Sequence, residues 1–353
     1  MSDFDDLFFH AEELNPISAN DLLNKEIPEL KFLVKDLCPA GLGVLAAPPK
    51  FYKSFLALQL CVALSTGKDF LGRPTERTGC LYFDLESSNR RPQNRLKAMG
   101  IDNLDGVQFV TQEEMPKKDH GMITLANGFS DTLENYLTKN PKIGFIVIDV
   151  FKKIRTEVKK TQSLYDHDYA DIEKLQAIAG NKNVTILLLH HTRKLADAND
   201  PFNNMSGSSG LLGAVDFCWL ISKNKRNDQQ ATLSITGRDI ESAELTVEFD
   251  QKNLEWKFIG TAEDIQAQRE LDEYNSSAIT KVIRQLVNQN GQWTGTVSEI
   301  IHASRYTDNQ IHQPPQQVGK AVQKYTPLLY SIDEIKTNCY RGERARYYTF
   351  TKK

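Results

Sequence analysis

The five cysteines never come together: Cys38, Cys61, Cys80, Cys218 and Cys339 are scattered, with no C-x-x-C pair. Such spacing speaks against a disulfide framework or a structural zinc site and fits a reducing compartment. No apolar run approaches the roughly 18 residues that a membrane span requires. The start, MSDFDDLFFHAEEL, is acidic and lacks the basic region of a secretory signal. A cytoplasmic protein with no membrane partner is expected. Charge of one sign is also missing, since 43 Lys and Arg face 46 Asp and Glu for a net of -3. Any attraction for a polyanion must therefore be local. Neither internal repeats nor low-complexity segments occur in the 353 residues, a length that suits two domains.

What is present is an alternation of short apolar runs and helical stretches. GVLAA (43–47), GCLYFDLE (79–86), VQFVT (107–111), IGFIVIDV (143–150) and VTILLLHH (184–191) read as strands. Helical patterns at 54–65, 88–99, 129–139 and 165–179 lie between them. Near-continuous apolar strands separated by helices predict an α/β fold with a parallel sheet covered on both faces. After Gly210 four strands follow one another, AVDFCWLIS, ATLSITGR, ELTVEFD and LEWKFIG. Their close spacing predicts antiparallel pairing at one edge of the same sheet. The division expected is an N-terminal segment 1–26, with a short helix near Ala19–Leu23, a large domain 27–260 and a polar linker 261–277. A small domain 278–353 completes the chain. Its three helical candidates, Ala278–Asn288, Thr296–Ser304 and Gln316–Tyr325, precede two strands around a basic turn, the layout of a winged helix-turn-helix. From Tyr274 to Lys353 there are 11 Lys and Arg against 5 Asp and Glu, so the local basic surface lies here.

The stretch LGVLAAPPKFYKSFLALQL (42–60) reads as a strand, a loop ending in Lys53-Ser54, and a helix. That is the layout of a phosphate-binding loop, G-x-x-x-x-G-K-[ST], except that Ala47 and Tyr52 hold its two glycine positions. The cradle would comprise Ala47, Pro48, Pro49, Lys50, Phe51, Tyr52, Lys53, Ser54 and Phe55. Backbone N–H groups and the helix N-terminus would face a β-phosphate, the Lys53 ammonium would reach the β- and γ-phosphates, and the Ser54 hydroxyl would meet Mg²⁺. Position 52 tends toward positive φ, where a tyrosine costs about 1–2 kcal/mol. The plainer reading of this stretch is a lysine opening an ordinary helix.

The other strand ends favour the phosphate site, because ligands bind at the carboxyl ends of parallel strands. FIVIDV ends at Asp149, a carboxylate suited to the Mg²⁺ water shell. LYFDLE ends at Asp84 and Glu86, either of which could polarise an attacking water. LLLLHH ends at His190 and His191, able to report on a γ-phosphate. Neighbouring strand residues point to opposite faces, so His190 is read as a packing residue and metal binding by the pair as unlikely.

In APPKFYKS, YFDLE with RRPQNRLKAMG, IVIDV, LLLHHTRK, MSGSSGLLGAVD and TGRDIESAELTVEFD, residues 27–260 resemble the RecA-like ATPases of the RepA type, hexameric replicative helicases of plasmids and phages. The resemblance covers about two-thirds of the chain, and the missing loop glycines are its main departure. It implies ATP and Mg²⁺ as cofactors and a homo-oligomer, a hexameric ring. Lys53 and Ser54 would bind phosphate and Mg²⁺, Glu86 would be the catalytic base and Asp149 the metal-shell acid. His191 would be the γ-phosphate sensor, and Arg238 an arginine finger inserted into the neighbouring subunit. The alternative for Arg238 is a surface arginine paired with Asp239 or Glu241. Loops after the Asp149 and His191 strands would line the pore and track single-stranded DNA through Lys152, Lys153 and Arg155 and through Ser208 and Ser209. Arg90, Arg91 and Arg95 either lie near the adenine or are ordinary helix-surface arginines.

In the small domain the third helix, with Gln316, Gln317, Lys320 and Lys324, would enter a major groove. A wing with Arg341, Arg344 and Arg346 would touch the backbone. Its partner would be duplex DNA or a replication protein. The expected function is an ATP-dependent DNA helicase or translocase in the replication of a mobile element. A nucleotide-gated initiator or loader, and a DNA-binding regulator with a decayed loop, are the alternatives.

Overall fold

The computed structural model describes residues 15–27, 29–118, 121–156, 164–192, 209–223, 228–343 and 345–353, with Phe202 and Lys225. Nine strands form its main sheet: β1 (Gly41–Ala47), β2 (Gly79–Asp84), β3 (Val107–Thr111), β4 (Ile143–Asp149), β5 (Thr185–His191), β6 (Phe217–Ser222), β7 (Gln230–Gly237), β8 (Ala243–Asp250) and β9 (Glu255–Thr261). Their order across the sheet is β9-β8-β7-β6-β1-β5-β4-β2-β3. Strand β1 is central, and β5 separates it from β4, so the phosphate loop and Asp149 flank a crevice one strand wide. The α/β reading of the sequence holds, with one correction. Strand β6 is parallel to β1, and antiparallel pairing starts only at β7. A close sequence spacing fixes β6 against β7 but leaves the other neighbour of β6 open.

Helices α1 (Lys53–Thr66), α2 (Arg90–Ala98), α3 (Phe129–Lys139) and α4 (Leu164–Lys182) cover the sheet. Alternate residues of the same strand serve two cores. Leu45 and Ala47 pack with Leu56, Leu60 and Leu64 of α1, whereas Val44 and Ala46 pack with Leu133 of α3 and Ile172 of α4. Each such aliphatic side chain contributes about 1.5–3 kcal/mol when fully buried, which explains why these strands read as unbroken apolar runs. Gly43 is needed for a close approach, because a Cβ there would lie 2.1 Å from the Phe217 ring.

The polar stretch after β9 is a helix, α5 (Ala262–Ser276), started by a capping box in which Thr261 and Asp264 satisfy each other's backbone N–H. It packs on β8 and β9. Beyond it, α6 (Ala278–Asn290), α7 (Val297–Ser304) and α8 (Pro315–Asp333) surround a sheet of β10 (Gln292–Thr296), β11 (Ile335–Arg341) and β12 (Arg346–Lys352), ordered β10-β12-β11. Ile283, Val318, Leu329 and Phe350 centre a separate apolar cluster here. Helix α8 runs past the Gln316–Tyr325 candidate through LLYSID to Asp333, and β10 had no sequence signal of its own. The short N-terminal helix runs Ala19–Asn24 and buries none of its residues. Cys38, Cys61, Cys80 and Cys218 are buried, and Cys339 is exposed. Among the described residues no helix is long and apolar enough to cross a membrane.

Candidate nucleotide site

Lys53 opens α1 immediately after the loop, and Tyr52 before it lies at φ 55° and ψ 24°, in the left-handed region. Glycine is the usual solution at such a position because it has no Cβ to clash. Here the edge strands supply another. The Tyr52 ring stacks on Phe249 of β8 with centroids 3.9 Å apart and planes 10° from parallel. Trp256 of β9 donates its indole N–H to the Tyr52 carbonyl at 3.3 Å. A stacked aromatic pair contributes about 0.5–1.5 kcal/mol beyond its burial, close to the ~1–2 kcal/mol of left-handed strain. The side chains of Phe51, Tyr52 and Phe55 thus pack on the sheet's core, and what Tyr52 offers a phosphate is its backbone.

The Lys53 side chain is inside the protein, the residue being 8% exposed, and it forms no ion pair among the described residues. Its Nζ lies 3.3 Å from His191 Nδ1 at the end of β5. An ammonium can only donate, so Nδ1 accepts and the ring's remaining proton sits on Nε2. Burial lowers the pKa of Lys53, Asp149 and Glu86 raise it, and Arg95 lowers it further. Burial, and then the Lys53 charge, hold His191 below its ordinary value. Four sequence-predicted residues, Lys53, Glu86, Asp149 and His191, therefore act on one another at one end of the sheet. His190 is buried, with its ring edge toward Phe151.

Asp84 and Asp149 are register partners on β2 and β4, which puts two buried carboxylates side by side. The structure gives them different surroundings. Asp149 Oδ2 accepts the Tyr82 hydroxyl at 2.9 Å. Asp84 accepts the Ser87 hydroxyl and, at 3.3 Å, Arg95 Nη1. Burial pushes the Asp84 carboxyl up, while the Ser87 bond and Arg95 oppose that rise. Asp84 is thus consumed by internal bonds and is unsuited to hold an attacking water. Glu86 is exposed. Its backbone neighbours are fixed: Leu85 N–H donates to Asp149 O at 2.7 Å, and Gln112 clamps Leu85 O and Ser87 O. Glu86 borders a cleft of about 550 Å³ with Phe55, Arg91, Arg95 and Leu254. The sequence reading missed Tyr82, Ser87, Gln112 and the Asp84–Arg95 pairing. Only the apolar-to-polar change at the end of β2 could have pointed to them.

The remaining candidates divide. Lys152 and Lys153 are exposed in a short 3₁₀ turn after Asp149, and the charge of Lys152 reaches His191. Arg155 must be corrected: its guanidinium turns inward to Asp168, to Asp171 at 3.4 Å and to His167 Nδ1 at 2.7 Å. Two carboxylates on α4 outcompete solvent for it, so it cannot serve a pore. Lys324 forms a surface pair with Glu273 of α5 at 2.7 Å, and Lys320, Gln316 and Gln317 are exposed as it is. Arg341 and Arg346 face each other across the β11–β12 turn. Ser208 and Arg344 lie outside the described residues, as does the side chain of Ser209.

Arg238 follows β7 at the opposite end of the sheet from the phosphate loop. Gly237 pairs with Phe217 and Phe217 with Gly43, and four strand residues, about 13 Å, separate Gly43 from Ala47. Its guanidinium meets Asp216 at 3.3 Å and Gly213 O at 3.1 Å, in place of the Asp239 or Glu241 pairing considered above. The side chain is 57% exposed.

A family profile described as an AAA domain matches residues 9–197, more than half of the chain. No curated protein matches the chain. Among solved structures, the chain is similar to an isolated ATPase domain, at 13% identity over 62% of this chain and 85% of that one, with a TM-score of 0.49. It is similar to a DnaB-like replicative helicase whose interactions with primase were studied, at 14% identity, 62% of this chain and 57% of that one, with a TM-score of 0.48. A third likeness is to the RadB recombinase, at 14% identity, 63% and 92% coverage and a TM-score of 0.42.

Proposed function

Because the chain belongs to the AAA domain family, we propose that it is an ATPase, and more narrowly a ring-forming DNA helicase or translocase. One observation carries the ATPase reading: a buried ammonium, Lys53, lacks an ion-pair partner among the described residues and sits amid Asp149, Glu86 and His191. A desolvated cation of this kind is costly unless an anion joins it, and a nucleotide's phosphates supply that anion.

The residues fit ATP with Mg²⁺. Lys53 and the start of α1 would hold phosphate, and the Ser54 hydroxyl and Asp149 would hold the metal's shell. Phosphate oxygens and water would complete the shell. Mg²⁺ there would neutralise charge on the bridged phosphate oxygens. Glu86, exposed at the cleft and flanked by Leu85 and Ser87, whose carbonyls Gln112 holds, would accept the proton of the attacking water. The His191 Nε2–H is a donor available to a terminal phosphate. A pore role for Lys152 and Lys153, and a DNA- or protein-docking role for the small winged-helix-like domain, belong to the same reading. So do hydrolysis between ring subunits and work for a mobile element, which rest on the sequence resemblance.

Turnover in the presence and absence of single-stranded DNA is the test. Lys53→Ala should abolish hydrolysis and weaken nucleotide binding, and unchanged turnover would remove the phosphate-loop reading. Strand displacement on a forked duplex then separates helicase from loader: stimulated turnover without displacement assigns the loader.

A further inference from the structure

The outer face of the small β10-β12-β11 sheet carries a feature that the nucleotide site does not use. Register partners share a face, so Tyr340 lies with Tyr347, Asn338 with Thr349, and Lys336 with Thr351. The opposite face supplies Ile335, Tyr348 and Phe350 to the core. Tyr340 and Tyr347 are stacked, with centroids 5.5 Å apart and planes 13° from parallel. The turn residue Gly342 backs this pair, since a Cβ on it would meet the Tyr347 ring at 2.9 Å. Tyr340 remains 53% exposed. Lys336, exposed, shares this face four residues along β11, whereas Arg341 and Arg346, the next register pair, project from the other face at the hairpin's tip.

A cross-strand aromatic pair by itself stabilises a hairpin. That role does not require an aromatic surface left half open to water. An exposed flat aromatic ring on a basic hairpin is the chemistry that holds single-stranded nucleic acid: a base stacks on the ring and the cations follow the backbone. Paired bases in a duplex are stacked on each other and offer no free face to Tyr340, so a duplex would use only the cations. Charge is complementary too, with six Lys and Arg against one Glu over residues 335–353. We propose that Tyr340, stacked on Tyr347, is a platform for an unpaired nucleobase of single-stranded nucleic acid, with Lys336 on the same face contacting its phosphates and Arg341 and Arg346 meeting the strand where it passes the hairpin's tip.

The experiment uses the full chain without nucleotide, so its result is independent of ATP hydrolysis. Lys152→Ala and Lys153→Ala are introduced to remove the other suggested strand contact. An oligothymidylate carrying 5-iodouracil is photo-crosslinked and the adducts are mapped by peptide mass. Adducts are expected on Tyr340 or Tyr347. Anisotropy with the same oligonucleotide should show Tyr340→Ala weakening binding by roughly 5- to 100-fold, the range for one lost base–aromatic stack. Tyr340→Trp should restore affinity, and blunt duplex should compete poorly. Adducts confined to other segments, an unaffected Tyr340→Ala, or duplex competing as well as single strand would each overturn the proposal.

Discussion

At the scale of single residues, the site turns on how two adjacent buried carboxylates are kept distinct. Asp84 is tied to Ser87 and Arg95, which leaves Asp149, bonded to Tyr82, as the free acid. Arg95→Ala should therefore lower turnover at limiting Mg²⁺ and lower the melting temperature, because breaking a buried pair leaves a charge unmatched, at about 3–5 kcal/mol in fully buried cases. Adding Asp84→Asn should recover most of both losses, as read by thermal melts and Mg²⁺ titrations of turnover. No recovery would mean that Arg95 acts on the nucleotide directly. The pH profile tests a different residue. His191 has its pKa lowered by burial and by Lys53, so its neutral form is favoured in the folded state. Its contribution is present above the ordinary histidine value of about 6.5 and is lost as pH falls below it toward the depressed value. Turnover should be level at neutral pH and fall on the acid side. His191→Gln, an uncharged side chain that still offers a donor, should keep activity and flatten that acid limb.

At the scale of elements, the strands were legible because residues buried on both faces leave no alternation to misread, as in IGFIVIDV. Strand β10 was not, since QWTGT has only Trp293 and Gly295 turned toward an interior. The left-handed loop position was legible from Lys53-Ser54, but its support was not. Phe249 and Trp256 lie almost 200 residues from Tyr52, and no local pattern announces a contact that distant. Arg155 was misread for a similar reason: its Asp168 and Asp171 partners lie on α4, 13 and 16 residues further on. Gly43 belongs to the same class, because its need appears only when β6 is set beside β1. A Cβ at Gly43 would enter the Phe217 ring, so Gly43→Ala should destabilise the protein by about 1–3 kcal/mol through overpacking. The strand carrying the phosphate loop would shift with it, raising KM for ATP. Phe217→Leu in the same chain should relieve both effects. Chemical denaturation and steady-state turnover of the single and double variants measure this. A Gly43→Ala protein of unchanged stability would show that the ring moves aside freely.

At the scale of the whole molecule, the chain places its phosphate loop and Arg238 at opposite ends of one sheet. Arg238 is bonded to Asp216, whose other oxygen accepts Leu42 N–H at 2.8 Å, at the foot of β1. The arginine is thus anchored to the same strand whose far end carries the loop, and along that strand about 17 Å lie between Leu42 and Ala47. It cannot serve its own nucleotide without breaking the sheet. An exposed guanidinium in this place suits a neighbour's γ-phosphate, where an arginine finger is worth about 10³–10⁵ in rate. If that role is correct, Arg238→Ala binds ATP nearly normally and fails to hydrolyse it. Mixing Arg238→Ala with Lys53→Ala subunits creates interfaces with an intact loop on one side and an intact finger on the other. Such mixtures should recover part of the wild-type turnover, although each variant alone is inactive. The competing role is structural, an exposed pair with Asp216 worth at most about 1 kcal/mol. It predicts wild-type turnover for Arg238→Ala, and turnover per subunit that stays constant on dilution to monomer. Under the trans arrangement, specific activity must instead fall as the ring dissociates, because each site then loses the one charge that its own chain cannot provide.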